Sequence, residues 1–157
     1  MEVFTLIVNS GKTALGANSQ GHDKPLDIIR TAKGVSLWDF TSWQKWKDPL
    51  NHATYKVAEL QNGPGSKLCI AVQNLGVQYL VEDCRKGASN ELFLPDPTGS
   101  KTSGQPNYWY ISVCGTDTSG VYDYMTANRL RPGARVYNEP AGQGGRAAWE
   151  QDCFINC

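Results

Sequence analysis

Short runs of apolar, β-branched and aromatic residues recur along the chain, and turn-forming residues separate them. Such runs, about four to eight residues long and bounded by Gly, Pro, Asn or Ser, are typical of β-strands. Apolar residues do not keep a helical spacing over several turns, so no long helix is predicted. We therefore predict an all-β fold with strands at 3–8, 13–18, 26–30, 35–40, 55–60, 67–72, 77–84, 91–94, 108–113, 122–126, 134–137 and 148–156.

The segment 41–50 is the one stretch that suggests a helical turn. Trp43 and Trp46 lie three residues apart in it, which fits one helical turn or a 3-10 turn before the next strand. In either case we predict that both rings pack in the core or cap the barrel, because their large apolar area is costly to expose.

One strand-pair pattern recurs three times, and each copy closes with a bulky aromatic residue. The closing aromatics Trp46, Phe93 and Trp149 are about 50 residues apart, within the range of internal repeats. Chance recurrence in a β-rich chain is the alternative. We predict a single domain, 1–157, of three repeats at approximately 1–54, 55–107 and 108–157, each with about four strands. A closed threefold body is favoured because closure removes sheet edges.

Composition and charge limit the classes of partner that the protein is expected to bind. The chain has 157 residues, a 40% hydrophobic fraction and a formal net charge of zero. A neutral chain has no overall field that attracts nucleic acid or an anionic membrane surface. No apolar stretch approaches the roughly 18 residues of a membrane-spanning helix. We therefore expect neither a nucleic-acid partner nor a membrane span.

Residues that could carry catalysis or hold a cofactor are sparse. His22 and His52 are the only histidines, and each lies in a polar stretch without a second ligand at a metal-binding spacing. Glu82 and Asp83 are neighbours on one predicted strand, so they point to opposite faces and cannot act as a pair. The glycine-rich stretch 142–146 lacks the Gly-Lys-Ser/Thr ending of a phosphate loop. We predict a protein without catalysis, cofactor or metal.

Two aromatic residues precede hydrogen-bonding side chains at matching places in the first and third copies. An exposed ring can pack on the apolar face of a sugar while a polar neighbour binds its hydroxyls. Adjacent strand residues point to opposite faces, so both can serve one site only at a bulge or a strand end. We predict sugar sites at Trp38, Asp39 and Gln44, and at Tyr137 and Asn138. The alternative is that both rings fill the core between hairpins.

The three copies resemble the repeats of the ricin-B-type β-trefoil lectins, which run approximately Cys-Leu-Asp-Val, Val-x-Leu-Trp-x-Cys and Gln-x-Trp. The first copy matches at 35–38 (Val-Ser-Leu-Trp) and 44–46 (Gln-Lys-Trp). The second matches at 69–72 (Cys-Ile-Ala-Val), 83–84 (Asp-Cys) and, in degenerate form, 90–93 (Asn-Glu-Leu-Phe); the third matches weakly at 134–137 and Trp149. The resemblance implies a β-trefoil that binds a glycan or glycoprotein.

No copy keeps a complete sugar site of that family. The Asp of the first motif is replaced in the three copies by Gly16, by Ala71, and by Thr126 or Ala127 depending on register. Val81 or Glu82 stands at the place of the stacking aromatic in the middle copy, and the Asn before the closing motif is kept only as Asn90. Galactose binding is therefore not implied, although another sugar geometry is compatible.

Five cysteines are present, with no CxxC pair and no zinc-finger spacing. Cys69 and Cys84 match the two disulfide positions of the resembled family and lie at the ends of a hairpin-like unit, so we predict that they are bonded. We also predict a bond between Cys114 and Cys153, which leaves Cys157 over. Disulfides favour an extracellular location, for a mature form without its signal peptide. A cytoplasmic location is the alternative.

Two other functions fit the same scaffold. The first is a β-trefoil protease inhibitor similar to the Kunitz soybean-type or the mushroom cysteine-protease inhibitors, which present loops on the same scaffold. The long loop at 95–107 would then contact a protease. A secreted effector that binds a host protein through its surface is the remaining hypothesis.

Overall fold

The computed structural model describes residues 3–8, 13–17, 24–30, 38–63, 66–74, 77–96, 108–115, 123–129, 131–140 and 148–155. Short 3-10 turns occur at Ser89–Glu91 and Val113–Gly115. The strands are β1 Val3–Val8, β2 Thr13–Ala17, β3 Lys24–Arg30, β4 Trp38–Lys47, β5 Thr54–Asn62, β6 Leu68–Ala71, β7 Leu80–Asp83, β8 Leu92–Asp96, β9 Tyr108–Ser112, β10 Asp123–Ala127, β11 Val136–Pro140 and β12 Ala148–Ile155. The predicted all-β fold is confirmed. Among the described residues, no helix has the length and apolar character needed to cross a membrane.

Six strands close into a barrel through antiparallel pairing. Around the ring, β1 pairs with β4, β4 with β5, β5 with β8, β8 with β9, β9 with β12, and β12 with β1. These are the first and fourth strands of each successive group of four. The ring has no free edge, which removes the tendency of exposed strands to pair with other chains. The predicted β-trefoil is confirmed.

The other six strands form three hairpins that meet one another. They are β2 with β3, β6 with β7, and β10 with β11. β3 pairs with β7 at Pro25 and Leu80, and Gln78, just before β7, forms a bridge to Tyr137 of β11. The hairpins therefore hold each other while their inner residues pack on the barrel core.

The barrel register shows which aromatic closes each repeat. Pairs between the first and fourth strands of the same repeat include Phe4–Trp38, Ala58–Phe93 and Tyr108–Trp149. The closing aromatic of the first repeat is therefore Trp38, and the prediction that gave this place to Trp46 is wrong. Trp46 lies further along the same strand, where its ring centroid is 6.4 Å from that of Tyr55.

A bulge explains why Trp46 was mistaken for the closing residue. β4 continues to Lys47, although a helical turn was predicted for 41–50, and its register with β5 shifts between Thr41 and Gln44. Ser42 within the bulge has a φ of 53°, in the left-handed region. Beyond it, exposed and half-buried side chains alternate regularly. Trp43 falls on the exposed face at 45%, so the prediction that its ring packs in the core is wrong.

The core lies where the hairpins meet the barrel. Trp38, Phe93 and Tyr110 of the barrel and Tyr79 of the second hairpin are all 0% exposed. Tyr79 meets the Phe93 ring edge-on, with 6.0 Å between centroids. Trp38 Nε1 donates a hydrogen bond to the Leu15 carbonyl at 3.0 Å. A buried donor without a partner costs about 1–3 kcal/mol, so this bond allows the indole to lie at the centre.

The second hairpin carries the predicted disulfide. Cys69 of β6 and Cys84, directly after β7, are bonded, with 4.9 Å between their Cα atoms. The antiparallel pairing of the two strands brings the cysteines together. The prediction for Cys69 and Cys84 is confirmed.

The predicted bond between Cys114 and Cys153 is wrong. Cys114 has a free thiol in the turn after β9. Ala148 of β12 lies opposite Trp109 of β9, and the two strands are antiparallel. Cys114 lies five residues after Trp109 and Cys153 lies five residues after Ala148, so the two cysteines lie in opposite directions from this pair. Ten residues of strand span roughly 30 Å, whereas a disulfide needs Cα atoms within about 7 Å. Cys157 lies outside the described residues.

We expect Trp38→Ala to lower the free energy of unfolding by about 3–5 kcal/mol, because it empties the space of a large core side chain. Trp43→Ala removes an equally large but exposed ring and is the matched control, with an expected loss below about 1 kcal/mol. Urea unfolding followed by far-UV circular dichroism measures both. Equal losses for the two variants would contradict the burial of Trp38.

Replacing Cys69 and Cys84 together by serine should lower the free energy of unfolding by about 3 kcal/mol, because the bond spans a sequence separation of 15 and constrains the unfolded chain. Cys114→Ser is the control and should have little effect. Peptide mapping without reduction provides the direct check, and free thiols at both positions would refute the pairing.

Candidate functional site

The structure does not assemble the first predicted sugar site. Trp38 is buried in the core, and Asp39 beside it is 4% exposed. Gln44 lies beyond the bulge, where it is half-buried and its Nε2 donates to the Ser42 carbonyl at 3.2 Å. The exposed ring that this site requires is not available at Trp38, because that side chain fills the closing position of the repeat. The core alternative describes Trp38 correctly.

The second predicted pair is divided between the two faces of β11. Pairing with β10 is regular along the whole strand, so adjacent residues point to opposite faces. Tyr137 is half-buried, whereas Asn138 is 1% exposed. Asn138 Oδ1 accepts a hydrogen bond from the Tyr79 hydroxyl, and its Nδ2 donates to Ser112 Oγ at 3.4 Å. Asn138 therefore belongs to a buried polar network, and only Tyr137 is available to a ligand.

Tyr137 is surrounded by polar groups of both kinds. Alternation along β11 places Arg135, Tyr137 and Glu139 on one face, and Tyr124 of β10 lies directly opposite Glu139. The Arg135 guanidinium carbon lies 5.5 Å from the centroid of the Tyr137 ring. We call Tyr124, Arg135, Tyr137 and Glu139 the third-hairpin face. It combines an aromatic ring with a cation and a carboxylate.

The Tyr137 phenol stays protonated at neutral pH. Burial raises its pKa above the ordinary value of about 10, and Glu139 raises that pKa further while Arg135 lowers it in part. A neutral phenol can both donate and accept a hydrogen bond. This property suits a ligand hydroxyl, which also does both.

The middle repeat carries a polar cluster in which Asn90 is already engaged. Asn90 Nδ2 donates to the Val72 carbonyl at 3.5 Å and to Glu82 Oε1 at 3.3 Å, and its Oδ1 accepts from Arg85 at 2.9 Å. Arg85 also contacts Glu91 at 3.4 Å. Burial raises the pKa of Glu91, although Arg85 counteracts the shift. These polar groups are hydrogen-bonded or ion-paired to one another, so we assign to the cluster a role in stabilising the middle repeat.

An exposed aromatic surface on β4 and β5 is the feature that sequence reasoning missed. Trp43, Lys45, Lys47 and Lys56 form it, and we call it the Trp43 face. The Lys56 Nζ atom lies 5.2 Å from the Trp43 ring centroid. The signal was present in the sequence, because every second residue from 43 to 47 is Trp or Lys. Because Trp43 and Trp46 were interpreted as part of a helical turn, this strand alternation was not recognised.

One group of possible metal ligands occurs among the described residues. Donor atoms of Glu59, Cys69 and Cys84 lie within 4.8 Å of one another. The two sulfurs are joined in the disulfide, so neither can act as a thiolate ligand. The group therefore offers only the Glu59 carboxylate as a ligand, and we do not propose a metal site there.

Comparison with known proteins supports the fold and does not identify a family. No protein-family model matches the chain, and no curated protein matches it in sequence. A designed threefold-symmetric protein, ThreeFoil, is similar in structure with a TM-score of 0.68 at 14% identity, covering 96% of this chain and 97% of that one. At this identity the similarity shows the fold alone.

Two toxin structures share the same fold. A mosquitocidal holotoxin aligns with a TM-score of 0.70 at 9% identity, over 97% of this chain but 17% of the toxin chain. A chain of the Haemophilus ducreyi cytolethal distending toxin aligns with a TM-score of 0.62 at 13% identity, over 99% of this chain and 85% of that one. β-Trefoils of this size therefore occur both as whole chains and as parts of larger toxins.

The Cys114 side chain is exposed, but partial desolvation and the nearby Asp123 raise the pKa of its thiol. We therefore expect it to react with iodoacetamide at pH 8 more slowly than an ordinary exposed thiol, because its thiolate fraction is reduced. The rate should keep rising with pH beyond the ordinary thiol pKa of about 8.5. Asp123→Asn should move the rate profile to lower pH. Mass-spectrometric mapping follows the labelling, and a rate that levels off below pH 8.5 would contradict the raised pKa.

Proposed function

We propose that this protein binds carbohydrate without catalysing a reaction, and that the third-hairpin face is a binding site. The observation that carries the proposal is the outward, half-buried Tyr137 ring with Arg135 over it. It is supported by the resemblance of the second and third copies to the ricin-B-type lectins, in which a β-trefoil presents sugar sites. In the first copy, Trp38 and the 44–46 motif lie on the same strand, β4, so that copy adds no support.

The chemistry of the third-hairpin face suits a sugar. The apolar C–H face of a pyranose packs against the accessible part of the Tyr137 ring. Arg135 supplies hydrogen-bond donors at one side and Glu139 supplies acceptors at the other, so hydroxyls of either orientation find a partner. Asn138 cannot contribute, because it points into the core. The proposed site therefore differs from the predicted pair by replacing Asn138 with Arg135 and Glu139.

A single shallow site of this kind binds weakly. We expect a dissociation constant near millimolar, which corresponds to about −4 kcal/mol. Useful affinity would come from a second site on the same chain or from a multivalent glycan surface. We also propose an extracellular location, which the Cys69–Cys84 disulfide supports because such bonds persist in oxidising compartments.

No specific observation supports the protease-inhibitor hypothesis or the host-protein hypothesis. The inhibitory loop would span 95–107, and residues 97–107 of it lie outside the described residues. Protease inhibition and binding to a host protein therefore stay predictions, as do the repeat and domain boundaries.

Tyr137→Ala should weaken binding to neutral glycans at least about tenfold, which equals about 1.4 kcal/mol, and it should leave the melting temperature nearly unchanged. Glycan-array screening finds the ligand, and titration calorimetry measures the loss. Tyr137→Phe keeps the ring and should retain most of the affinity. Trp43→Ala removes an exposed ring elsewhere and serves as the control. Unchanged neutral-glycan binding by folded Tyr137→Ala would refute the proposed site.

A further inference from the structure

The Trp43 face places like charges directly opposite each other. Lys45 of β4 pairs with Lys56 of β5, so both side chains lie on the same face of the hairpin. Lys47, two residues from Lys45, lies on that face as well, and all three lysines are exposed. Like charges at directly opposed cross-strand positions are destabilising. The hairpin therefore keeps a repulsive arrangement on its surface.

Nothing in the described part of the chain neutralises these lysines. None of the three forms an ion pair with a described residue. The acidic residues Asp39, Asp48 and Glu59 of the same two strands and the turn between them are 4%, 0% and 2% exposed, so they do not contribute to the exposed face. The whole chain has a formal net charge of zero. The Trp43 face is thus a local positive surface on a neutral protein.

An aromatic ring lies within this positive surface. Trp43 is 45% exposed, and Lys56 Nζ lies 5.2 Å from its ring centroid. Phe40 supports the indole from the barrel side, with 5.5 Å between ring centroids. The Lys56 ammonium group therefore lies over the Trp43 ring, part of which stays accessible. This combination fits a ligand with an apolar C–H face and an anionic substituent a few ångströms from it.

We propose that the Trp43 face binds a sugar chain that carries carboxylate or sulfate groups. The sugar ring packs on Trp43, and its anionic groups lie between Lys45 and Lys56, where they relieve the repulsion between the two ammonium groups. Lys47 extends the surface to the next sugar unit. This site lies on β4 and β5, and it is independent of the third-hairpin face on β10 and β11.

A nucleic acid fits this surface less well. Proteins that bind nucleic acids commonly make about six to ten phosphate contacts, and the Trp43 face offers three lysines on a chain of zero net charge. Three lysines and one ring match in number a short sugar chain with two or three anionic groups. We therefore assign an acidic glycan to this site.

Titration calorimetry with matched oligosaccharides tests the assignment. The probes are an oligogalacturonate, which carries carboxylates, a sulfated galactan fragment, and a neutral galactan fragment of the same length. We expect at least one acidic probe to bind this face and the neutral probe not to, with affinity falling as salt increases. The two acidic probes show which anionic group is preferred.

Variants locate the binding. Trp43→Ala and the double variant Lys45→Gln with Lys56→Gln should each weaken acidic-glycan binding about tenfold at low salt. The double variant should fold as well as the wild type, because it removes a repulsive pair. Lys45→Arg with Lys56→Arg keeps the charge and should retain binding. Tyr137→Ala should bind the acidic probes normally, which separates this test from that of the third-hairpin face.

Three outcomes would overturn the assignment. The first is equal affinity for acidic and neutral probes. The second is unchanged acidic-probe binding by the folded Lys45→Gln, Lys56→Gln variant. The third is tighter binding of a single-stranded oligonucleotide of equal charge, which would assign the surface to nucleic acid instead.

Discussion

Closure of the barrel around buried aromatic side chains, Trp38 among them, is the constraint on which the rest of the structure depends. Trp38 occupies the place that Phe93 holds in the second repeat, at 0% exposure. Its Nε1 donates to the Leu15 carbonyl of the first hairpin, so one side chain connects the barrel to a hairpin. The Nε1 atom of the indole therefore has a hydrogen-bond partner, and both of its rings are buried in the core. A side chain used in this way cannot also hold a sugar.

Sequence patterns predicted the strands well and the register less well. Runs such as 3–8 and 108–113 contain β-branched and aromatic residues between turn signals, and these local preferences survive in the fold. The position of the closing aromatic in the first repeat depends on pairing between Phe4 and Trp38, which are distant in sequence. The single extra residue of the bulge in β4 then shifts the pairing with β5 and so changes which side chains beyond it face outward. The spacing of the aromatic residues did carry a signal for Trp38, which lies 55 residues before Phe93 as Phe93 lies 56 before Trp149. The bulge has no such signal.

Each predicted sugar site contains one partly accessible residue and at least one buried residue, and neither site is assembled as predicted. Gln44 and Tyr137 are partly accessible, whereas Asp39 and Asn138 are buried. An aromatic residue followed by a polar residue resembles a sugar site in sequence, but a regular strand sends the two side chains to opposite faces. In the third hairpin the regular pairing of β10 and β11 decides the outcome. The residues two positions away, Arg135 and Glu139, are the true neighbours of Tyr137.

We therefore expect binding sites in this fold at surface positions whose side chains do not contribute to the core. Inner positions such as Val136 and Asn138 are fixed by packing and by buried hydrogen bonds. Outer positions on the same strands, including Arg135, are free to vary in charge without altering the barrel. The repulsive pair of Lys45 and Lys56 illustrates this freedom, since the closed barrel tolerates a small local cost on its surface. A neutral chain can in this way present one mixed polar face and one positive face without any change in its fold.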